Sequence, residues 1–470
     1  MTPRIETTPV PATDVAAIPG LVAGLRRSFE SGRTRPLAWR REQLQRLADL
    51  MDRHGDELVR ALHQDLGKPE LEARITDVAI VKNEALAAKK ALARWTKPTR
   101  VATPLDQQPA KAMVVREPLG VVLVIAPWNY PVQLLLSPLV GALAAGNCAV
   151  LKPSEVTPHV SRLLGELVPR YLDGECVCVI EGGVDETTAL LRERFDHILY
   201  TGNGAVAKVV MKAAAEHLTP VTLELGGKSP CIVDRDVELE VAARRIVWGK
   251  FLNAGQTCIA PDYVLVHEAR EEELLAAMVR ALRDFYGDDP KATPDFGRIV
   301  NERHHRRLAV LLKDGEVVTG GEADEATRYV APTILRNVAP DAPVMQEEIF
   351  GPILPVLRVP SVDAAVDFVN ARPKPLALYV FSKDERVQQD VIARTSSGGA
   401  CVNATIWHIA NPALPFGGVG PSGMGAYHGR ESFETFSHRK SVVVKSTRVD
   451  PKLAYPPYSR LKTAILKRLL

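Results

Sequence analysis

The chain has 470 residues, of which 46% are hydrophobic and 24% are charged, which is ordinary for a soluble globular protein. At about 150 residues per domain, this length predicts two to four domains and more than one hydrophobic core. The 59 basic and 56 acidic residues give a net charge of +3, too small to indicate a nucleic-acid binder, and the six cysteines are too few for a disulfide scaffold.

The first 117 residues predict two helices between a loose arm and an extended segment. Residues 1–20 are rich in proline and threonine and lack the apolar stretch of a secretory signal, so we expect a loose arm and a cytoplasmic protein with unpaired thiols. Residues 36–66 carry leucines at helical spacing before Gly67, and residues 70–95 form a second amphipathic stretch before Pro98. Residues 99–117 are polar and extended, which favours a hairpin that leaves the main body.

Residues 119–151 contain no charged residue and are long enough to span a bilayer. Pro127, Pro131 and Pro138 interrupt this stretch, which favours a buried strand–turn–helix–strand instead, with strands at 121–126 and 149–151 and a helix at 134–145. Further strands are predicted at 177–181, 197–200, 220–224 and 229–233, and helices at 187–194 and 206–217. This alternation, continued to about residue 402, predicts an α/β protein with two tandem doubly wound parallel-sheet domains.

Residues 447–470 carry six basic residues and one acid. Leu461, Ile465 and Leu469 fall on one face of a predicted helix over 459–470, which is too short to cross a bilayer. A basic amphipathic helix either lies on an anionic membrane surface or docks on its own protein, and docking on the protein is the expectation here.

Cys258 is the cysteine with the surroundings of a nucleophile. It follows Asn-Ala-Gly-Gln-Thr at 253–257, small and amide residues that suit a reactive thiolate, although a core thiol fits the composition equally well. Three other cysteines lie in apolar runs. Cys176 and Cys178 lack the second pair or histidine cluster of a metal site, so no metal is expected.

A glycine turn at 200–208 joins a predicted strand to a predicted helix. Gly202 and Gly204 match the start of a dinucleotide fingerprint, with Ala207 in the third position, although an ordinary tight turn has the same pattern. The fingerprint expects an acid about 20 residues further on, and Glu224 lies there, before a second glycine turn. Spacing does not distinguish three roles for Glu224: ribose ligand, general base or salt-bridged surface acid.

Two polar loops follow the first predicted strands of the sheet, where α/β folds place ligands. Asn129, within Pro-Trp-Asn-Tyr-Pro at 127–131, donates either to an oxyanion or to its own turn. Lys152 and Glu155, within Lys-Pro-Ser-Glu, either bind ribose or phosphate or form a solvated pair.

Taken together, these motifs resemble the NAD(P)-dependent aldehyde dehydrogenase superfamily, and within it the class 3 group of fatty and aromatic aldehyde dehydrogenases. Five motifs occur in the family's order and at its approximate spacing, at 127–131, 152–155, 223–230, 255–258 and 348–352. The class 3 resemblance rests on 218–230, 344–352, 374–380 and 416–420. The resemblance covers roughly residues 31 to 445.

The resemblance implies a role for each candidate residue. It makes Cys258 the nucleophile, Glu224 the general base, and Asn129 an oxyanion-hole donor together with the backbone N–H of Cys258. The implied cofactor contacts are Lys152 and Glu155 at the adenosine ribose, Gly202, Asn203 and Gly204 at the pyrophosphate, and Glu348 and Phe350 at the nicotinamide ribose and ring.

One departure from the family bears on the cofactor. Many relatives have glycine where this chain has Ala207 and a bulkier residue where it has Gly204, which affects cofactor affinity and the choice of dinucleotide. Glu155 favours NAD, because a carboxylate repels a 2′-phosphate. Class 3 relatives often accept both dinucleotides, so NADP stays possible.

The implied reaction is the oxidation of apolar aliphatic or aromatic aldehydes to carboxylic acids with NAD(P)+, through a thiohemiacetal and a thioester on Cys258. The apolar side chains of Trp407, Ile409 and Leu414, in the expected substrate entrance at 403–414, favour an apolar substrate. One rival is a coenzyme-A-acylating dehydrogenase, against which Glu224 argues. A second rival is a scaffold without turnover, against which the combination of thiol and carboxylate argues.

The resemblance also implies a domain organisation. Residues 1–98 and 115–222 would form a Rossmann-like NAD(P)-binding domain and residues 223–425 a catalytic domain. Residues 99–114 and 426–445 would form a bridging sheet that pairs two copies into a homodimer by strand addition, and 446–470 a basic tail. No nucleic-acid partner and no transmembrane span are expected, and surface contact of the tail with a membrane is the minor alternative.

Overall fold

The computed structural model describes residues 12–104, 107–450, 452 and 455–469. Its helices α1 to α17 span Ile18–Glu30, Leu37–Arg53, Gly55–Leu66, Glu70–Ala73, Ile80–Trp95, Gln133–Ala145, Pro158–Tyr171, Val184–Arg192, Gly204–Ala215, Leu239–Phe251, Glu271–Tyr286, Glu302–Leu311, Val362–Asn370, Glu385–Arg394, Trp407–Ala410, Gly429–Thr435 and Arg460–Leu469. Its strands β1 to β18 span Thr99–Val101, Ala110–Pro118, Val121–Ile125, Cys148–Lys152, Val177–Val179, His197–Thr201, Val221–Glu224, Pro230–Val233, Tyr263–His267, Glu316–Thr319, Ala323–Asp324, Tyr329–Val330, Thr333–Arg336, Ile353–Val359, Ala377–Phe381, Gly399–Val402, Gly423–Met424 and Ser437–Lys445.

One sheet has the strand order β17-β7-β6-β3-β4-β5, and its neighbours are parallel except for β17 against β7. Strand β3 is buried along its whole length because helices cover both faces of the sheet. Val121 and Leu123 pack in one cluster with Ile18 of α1, whereas Val122 packs in another cluster with Leu135 of α6. The alternation of side chains along a strand thus places α1 and α6 on opposite faces.

The second large sheet has the order β10-β13-β14-β9-β8-β15-β16 and is parallel except for β10 against β13. Two of its interior strands, β8 and β15, are completely buried. The prediction of two doubly wound, mainly parallel sheets is confirmed.

A third, antiparallel sheet has the order β1-β2-β18 and contains part of each of the two segments expected to form a bridge. Its bounds differ from the predicted 99–114 and 426–445. Strand β2 continues to Pro118 because this residue pairs with Ser437, and residues before Ser437 form helix α16. The predicted boundary between 222 and 223 falls inside β7, and β17 pairs with that strand in the first sheet.

Two predictions for the N-terminal part were wrong. Residues 36–66 form two helices, because His54 leaves the helical conformation with φ −114° and ψ 14° and is followed by Gly55, a poor helix former. The expected loose arm over 1–20 already contains helix α1, which begins at Ile18 and buries Ile18, Val22 and Leu25 against the sheet. Residues 1–11 of that arm lie outside the described residues.

The uncharged stretch 119–151 forms β3, α6 and β4, and α6 is buried on all sides, which confirms the predicted strand–turn–helix–strand. In the part of the chain that the structure describes, no helix combines the length and apolar character that crossing a membrane requires. In α17, Leu461 is 72% exposed and Ile465 is 37% exposed, so the expected docking of this helix on its own protein was wrong for these two side chains. The side chain of Leu469 lies outside the described residues.

Candidate active site

The candidate site lies where the carboxyl edge of the first sheet meets the amino edge of the second. Asn129 follows β3 and Glu224 ends β7, whereas Cys258 precedes β9 and Glu348 precedes β14. The Nδ2 atom of Asn129 donates a hydrogen bond of 3.0 Å to the carbonyl oxygen of Gln256, which joins the two edges. Parallel strands gather their ends at one edge, and this places residues from distant parts of the sequence around the thiol.

Cys258 follows a strained turn. The φ angles of Asn253, Ala254 and Gly255 are 52°, 51° and 73°, all in the left-handed region, which costs about 1–2 kcal/mol for each residue that carries a side chain. Gly255 is required for a second reason, because a Cβ atom there would overlap the backbone oxygen of Gly351. The loop that carries the thiol is therefore packed directly against the segment before β14.

The Cys258 thiol is unpaired and half-buried. Burial raises its pKa well above the usual value, and the negative charges of Glu224 and Glu348 raise the pKa further. The thiol is consequently protonated at neutral pH, and its proton has to leave before the sulfur can attack.

Glu224 carries a carboxyl group that is buried without a partner. Its side chain is 1% exposed, and neither oxygen makes a hydrogen bond to any described residue. Burial raises its pKa to about 8. Of the three roles that spacing left open, the salt-bridged surface acid is excluded. A buried carboxyl with a pKa near 8, beside a thiol, suits a general base.

Asn129 is 2% exposed, and its amide is oriented by the loop before the thiol. One N–H of the amide binds the Gln256 carbonyl, whereas Oδ1 has no partner among the described residues. The backbone oxygen of Asn129 accepts a hydrogen bond of 2.8 Å from Nδ2 of Asn253. The amide is thus held by a distant loop rather than by its own turn, and one N–H is left for a ligand.

Lys228 and Asp262 fix the segment that carries Glu348, and the sequence interpretation assigned a role to neither. Lys228 forms an ion pair with Asp262 and donates to the backbone oxygen of Glu347 at 2.9 Å, while Asp262 accepts the N–H of Ile349 at 3.0 Å. Lys228 belongs to the glycine motif after Glu224, which was the available signal. Asp262 becomes recognisable only when β9 and β14 are neighbours.

The Glu348 carboxyl lies against the glycine turn after Glu224. A Cβ atom on Gly226 would overlap this carboxyl, so glycine is needed for the close approach. Burial raises the pKa of Glu348 well above its usual value, and the charge of Asp262 adds to the effect. Its Oε1 atom has no partner among the described residues and is available to a hydroxyl donor.

Phe350 adds an aromatic wall beside Asn129. Its φ of 48° is unusual for a residue with a side chain. Its ring meets the edge of Trp128, with 5.3 Å between ring centroids, and Trp128 lies 5.2 Å from the His304 ring. The wall is therefore built from the loop after β3, the segment before β14 and helix α12.

The remaining predicted cofactor residues line the carboxyl edge of the first sheet. Lys152 is 2% exposed, donates to the Pro153 carbonyl at 2.7 Å and lies 3.6 Å from Glu155, which is exposed. Asn203 caps helix α9 by accepting the N–H of Val206 at 3.0 Å. A Cβ atom on Gly204 would meet no described residue within 4 Å, so the space above the first turn of α9 is open.

These residues fit an NAD(P) dinucleotide. The N-terminus of α9 offers N–H groups to a pyrophosphate. Within the described part of the chain, Lys152 has one acceptor besides Glu155, which leaves N–H donors for ribose oxygens. Buried Thr201 Oγ1 and Glu348 Oε1 have no partners among the described residues, as expected of groups that bind a ligand.

Comparison with known proteins agrees with this geometry. The sequence profile described as the aldehyde dehydrogenase family matches residues 5–442. The dimeric NADP-preferring aldehyde dehydrogenase of Mus musculus is 52% identical over 442 residues, which cover 94% of this chain and 98% of that protein. The 4,4'-diaponeurosporen-aldehyde dehydrogenase of Staphylococcus aureus is 49% identical, covering 92% of this chain and 94% of that protein.

The solved structures lead to the same assignment. The substrate-bound state of Staphylococcus aureus AldH superposes with a TM-score of 0.94 at 47% sequence identity, covering 96% of this chain and 99% of that chain. The NAD-dependent aldehyde dehydrogenase of Sinorhizobium meliloti gives a TM-score of 0.86 at 31% identity, with coverages of 94% and 89%. The resemblance found in the motifs is confirmed, and the chain belongs to the aldehyde dehydrogenase family.

Proposed function

We propose that Cys258, Glu224 and Asn129 together oxidise an aldehyde to a carboxylic acid in this NAD(P)-dependent aldehyde dehydrogenase. The observation that supports these roles is their convergence at the junction of the two large sheets. A half-buried thiol, a carboxyl group without a partner and an amide with one remaining N–H are brought there by separate strands. Together they supply a nucleophile, a base and an oxyanion donor.

In the proposed first half-reaction, the Cys258 sulfur loses its proton to solvent water and attacks the aldehyde carbon. The carbonyl oxygen becomes an alkoxide, to which the free N–H of Asn129 and the backbone N–H of Cys258 donate hydrogen bonds. When bound, NAD(P)+ accepts the hydride that leaves this carbon, and the carbon remains attached to Cys258 as a thioester.

In the second half-reaction, Glu224 removes a proton from water, and the oxygen attacks the thioester carbon. The carbon–sulfur bond breaks, the carboxylic acid leaves, and the Cys258 sulfur is free for another cycle. With a pKa of about 8, Glu224 is ionised in a minor fraction of molecules at pH 7 and in most molecules above pH 8. This step is therefore expected to become faster as the pH rises.

For the cofactor we propose NAD with NADP as an accepted alternative. Glu155 is exposed and lies beside Lys152, the proposed ribose contact. A carboxylate there disfavours a 2′-phosphate, while the nearby ammonium partly offsets the repulsion. The relative from Mus musculus is described as NADP-preferring, which supports keeping both dinucleotides.

For the substrate we propose an apolar aldehyde. Trp407 and Leu414 in the expected entrance are 61% and 45% exposed. Trp248 of α10 lies 6.1 Å from Trp407 between ring centroids, and the sequence interpretation did not include it because it is far away in the chain. Two adjacent exposed indole rings offer an apolar surface on which an alkyl chain or an aromatic ring can pack.

For the organisation of the chain we propose the arrangement that the motifs implied. The domain built on the first large sheet, which includes all of β7, binds the cofactor, the domain built on the second large sheet carries the catalytic thiol, and residues 446–470 form a tail. The sheet formed by β1, β2 and β18 has β18 at an edge, and such an edge can pair with a second copy to give a homodimer. All six cysteines are unpaired, which supports a cytoplasmic location.

The proposed role of Cys258 is tested by a scan of aliphatic and aromatic aldehydes with NAD and then NADP, following NADH or NADPH formation. We expect Cys258→Ser to abolish turnover, because a hydroxyl group is a much poorer nucleophile than a thiolate. Cys178→Ser is the matched control, since Cys178 is also unpaired and half-buried but lies in β5. Substantial dehydrogenase activity in folded Cys258→Ser would overturn the assignment.

A further inference from the structure

A completely buried ion pair lies behind the loop that carries Asn129. The Nζ atom of Lys68 is 2.8 Å from Oδ2 of Asp77, and both side chains are 0% exposed. Removing two charges from water costs several kcal/mol for each ion, and the attraction between them often does no more than compensate for this. The pair is therefore a poor means of stabilising the fold, and its other contacts are informative.

Both members of the pair bind the segment that presents Asn129. Lys68 donates to the backbone oxygen of Asn129 at 3.1 Å. Asp77 accepts the N–H groups of Val132 and Gln133, each at 3.3 Å, where helix α6 begins. The peptide group of Asn129 and the first turn after its loop are thus tied to the same two charges.

The segment around this pair also binds the loop before the thiol. Oε1 of Glu72 accepts the backbone N–H of Asn253 at 2.8 Å, and the Asn253 side chain donates to the same Asn129 oxygen that Lys68 binds. Asp77 lies in a π-helical turn, Arg74–Ala79, a rare form that is frequent at functional sites. Residues 68–77 therefore contact both loops that meet at the proposed oxyanion site.

We infer that Lys68 and Asp77 are positioning residues that hold the Asn129 amide where the oxyanion forms. This inference rests on the role proposed above for Asn129 and extends it to two side chains that act through that residue. Without the ammonium group, the Asn129 carbonyl keeps Asn253 as a donor but loses its link to Asp77 and α6. A displacement of about 1 Å at a catalytic group can reduce the rate by up to about 100-fold.

The first experiment measures hydride transfer in Lys68→Met and Asp77→Asn by the single-turnover formation of NADH. We expect a loss of about 10-fold or more in both variants, a small change in the dissociation constant for NAD, and an increased isotope effect with the deuterated aldehyde. Asp65→Asn is the matched control. Asp65 is also buried and accepts the N–H groups of His159 and Val160 at the start of α7, and we expect it to retain the wild-type rate.

The second experiment is a double-mutant cycle with Asn129→Ala. If Lys68 acts through Asn129, Lys68→Met slows wild-type hydride transfer strongly but has little further effect once Asn129 is alanine. Equal losses in both backgrounds, or Lys68→Met and Asp77→Asn variants that fold and retain the wild-type rate, would overturn the inference. Failure of both variants to fold, judged by circular dichroism, would assign the pair to folding and also overturn it. A wild-type rate in Asn129→Ala alone would instead refute the proposed function.

Discussion

Replacing Glu224 by glutamine separates the two halves of the proposed reaction. Glutamine has nearly the same shape as glutamate but cannot take a proton from water. Glu224 is 1% exposed, and neither carboxyl oxygen binds a described residue, so the amide replaces the carboxyl without breaking a known hydrogen bond. The variant is therefore expected to fold normally, and its effect on the rate reports the chemistry.

The size of the effect follows from the role of the base. General base catalysis contributes about 10²–10⁴-fold, so release of the acid from the thioester slows by that factor. Hydride transfer depends on the thiol and on Asn129 and should change much less. Stopped-flow measurement should show one rapid NADH equivalent for each active site, followed by a very slow steady state.

A matched control distinguishes this effect from the loss of any buried acid. Glu84 is 6% exposed, and its Oε2 atom also lacks a hydrogen-bond partner among the residues that the structure describes. Its Oε1 atom binds the N–H of Gly429, outside the proposed site. Glu84→Gln should show wild-type kinetics. If Glu224→Gln gives no burst and both steps are slowed equally, Glu224 is not the base for deacylation.

Three further predictions follow from individual groups. Because the pKa of Glu224 is raised, the fraction of ionised Glu224 increases with pH, and the deacylation rate should rise from pH 6 to an apparent pKa of about 8 and then level off. A flat pH profile would contradict the assignment. Gly255→Ala places a Cβ atom against the Gly351 backbone at a φ of 73° and should reduce the free energy of unfolding, measured by urea titration, by about 1–3 kcal/mol. Gly204→Ala is the control, because a Cβ atom there has open space and should leave the free energy of unfolding unchanged. Glu155→Gln removes a repulsion of about 1 kcal/mol and should shift the kcat/KM ratio roughly fivefold towards NADP; an unchanged ratio would show that Glu155 does not select the dinucleotide.

The fold could be predicted from the sequence where a single local pattern identifies a helix or strand. The aliphatic run that became β3 indicated a strand buried on both faces, and its regular alternation with helices indicated parallel sheets. Because ligands bind at the carboxyl ends of such strands, the position of Asn129 at this edge was also accessible. Glu224 was assigned to the catalytic domain beyond residue 222, whereas β7 pairs with β6 in the first sheet. Helix α1 was missed although Ile18, Val22 and Leu25 have helical spacing, because the prolines and threonines before it favoured a loose arm.

The parts that sequence reasoning missed depend on contacts between distant segments. Lys68 contacts Asn129 across 61 positions, and Lys228 contacts Asp262 across 34 positions. Trp248 joins the proposed entrance only because its ring lies 6.1 Å from that of Trp407, far away in the chain. Each of these residues, in sequence, is an ordinary member of a helix or loop, and no spacing rule identifies its partner.

The proposed thioester on Cys258 can be detected directly in the mass of the protein during turnover. Glu224→Gln is mixed with NAD and an apolar aldehyde, and the intact protein and its peptides are weighed. We expect one acyl group on the peptide that contains Cys258, which added hydroxylamine releases and which is not transferred rapidly to added coenzyme A. An unmodified protein that still forms NADH, or an acyl group on another cysteine, would contradict it.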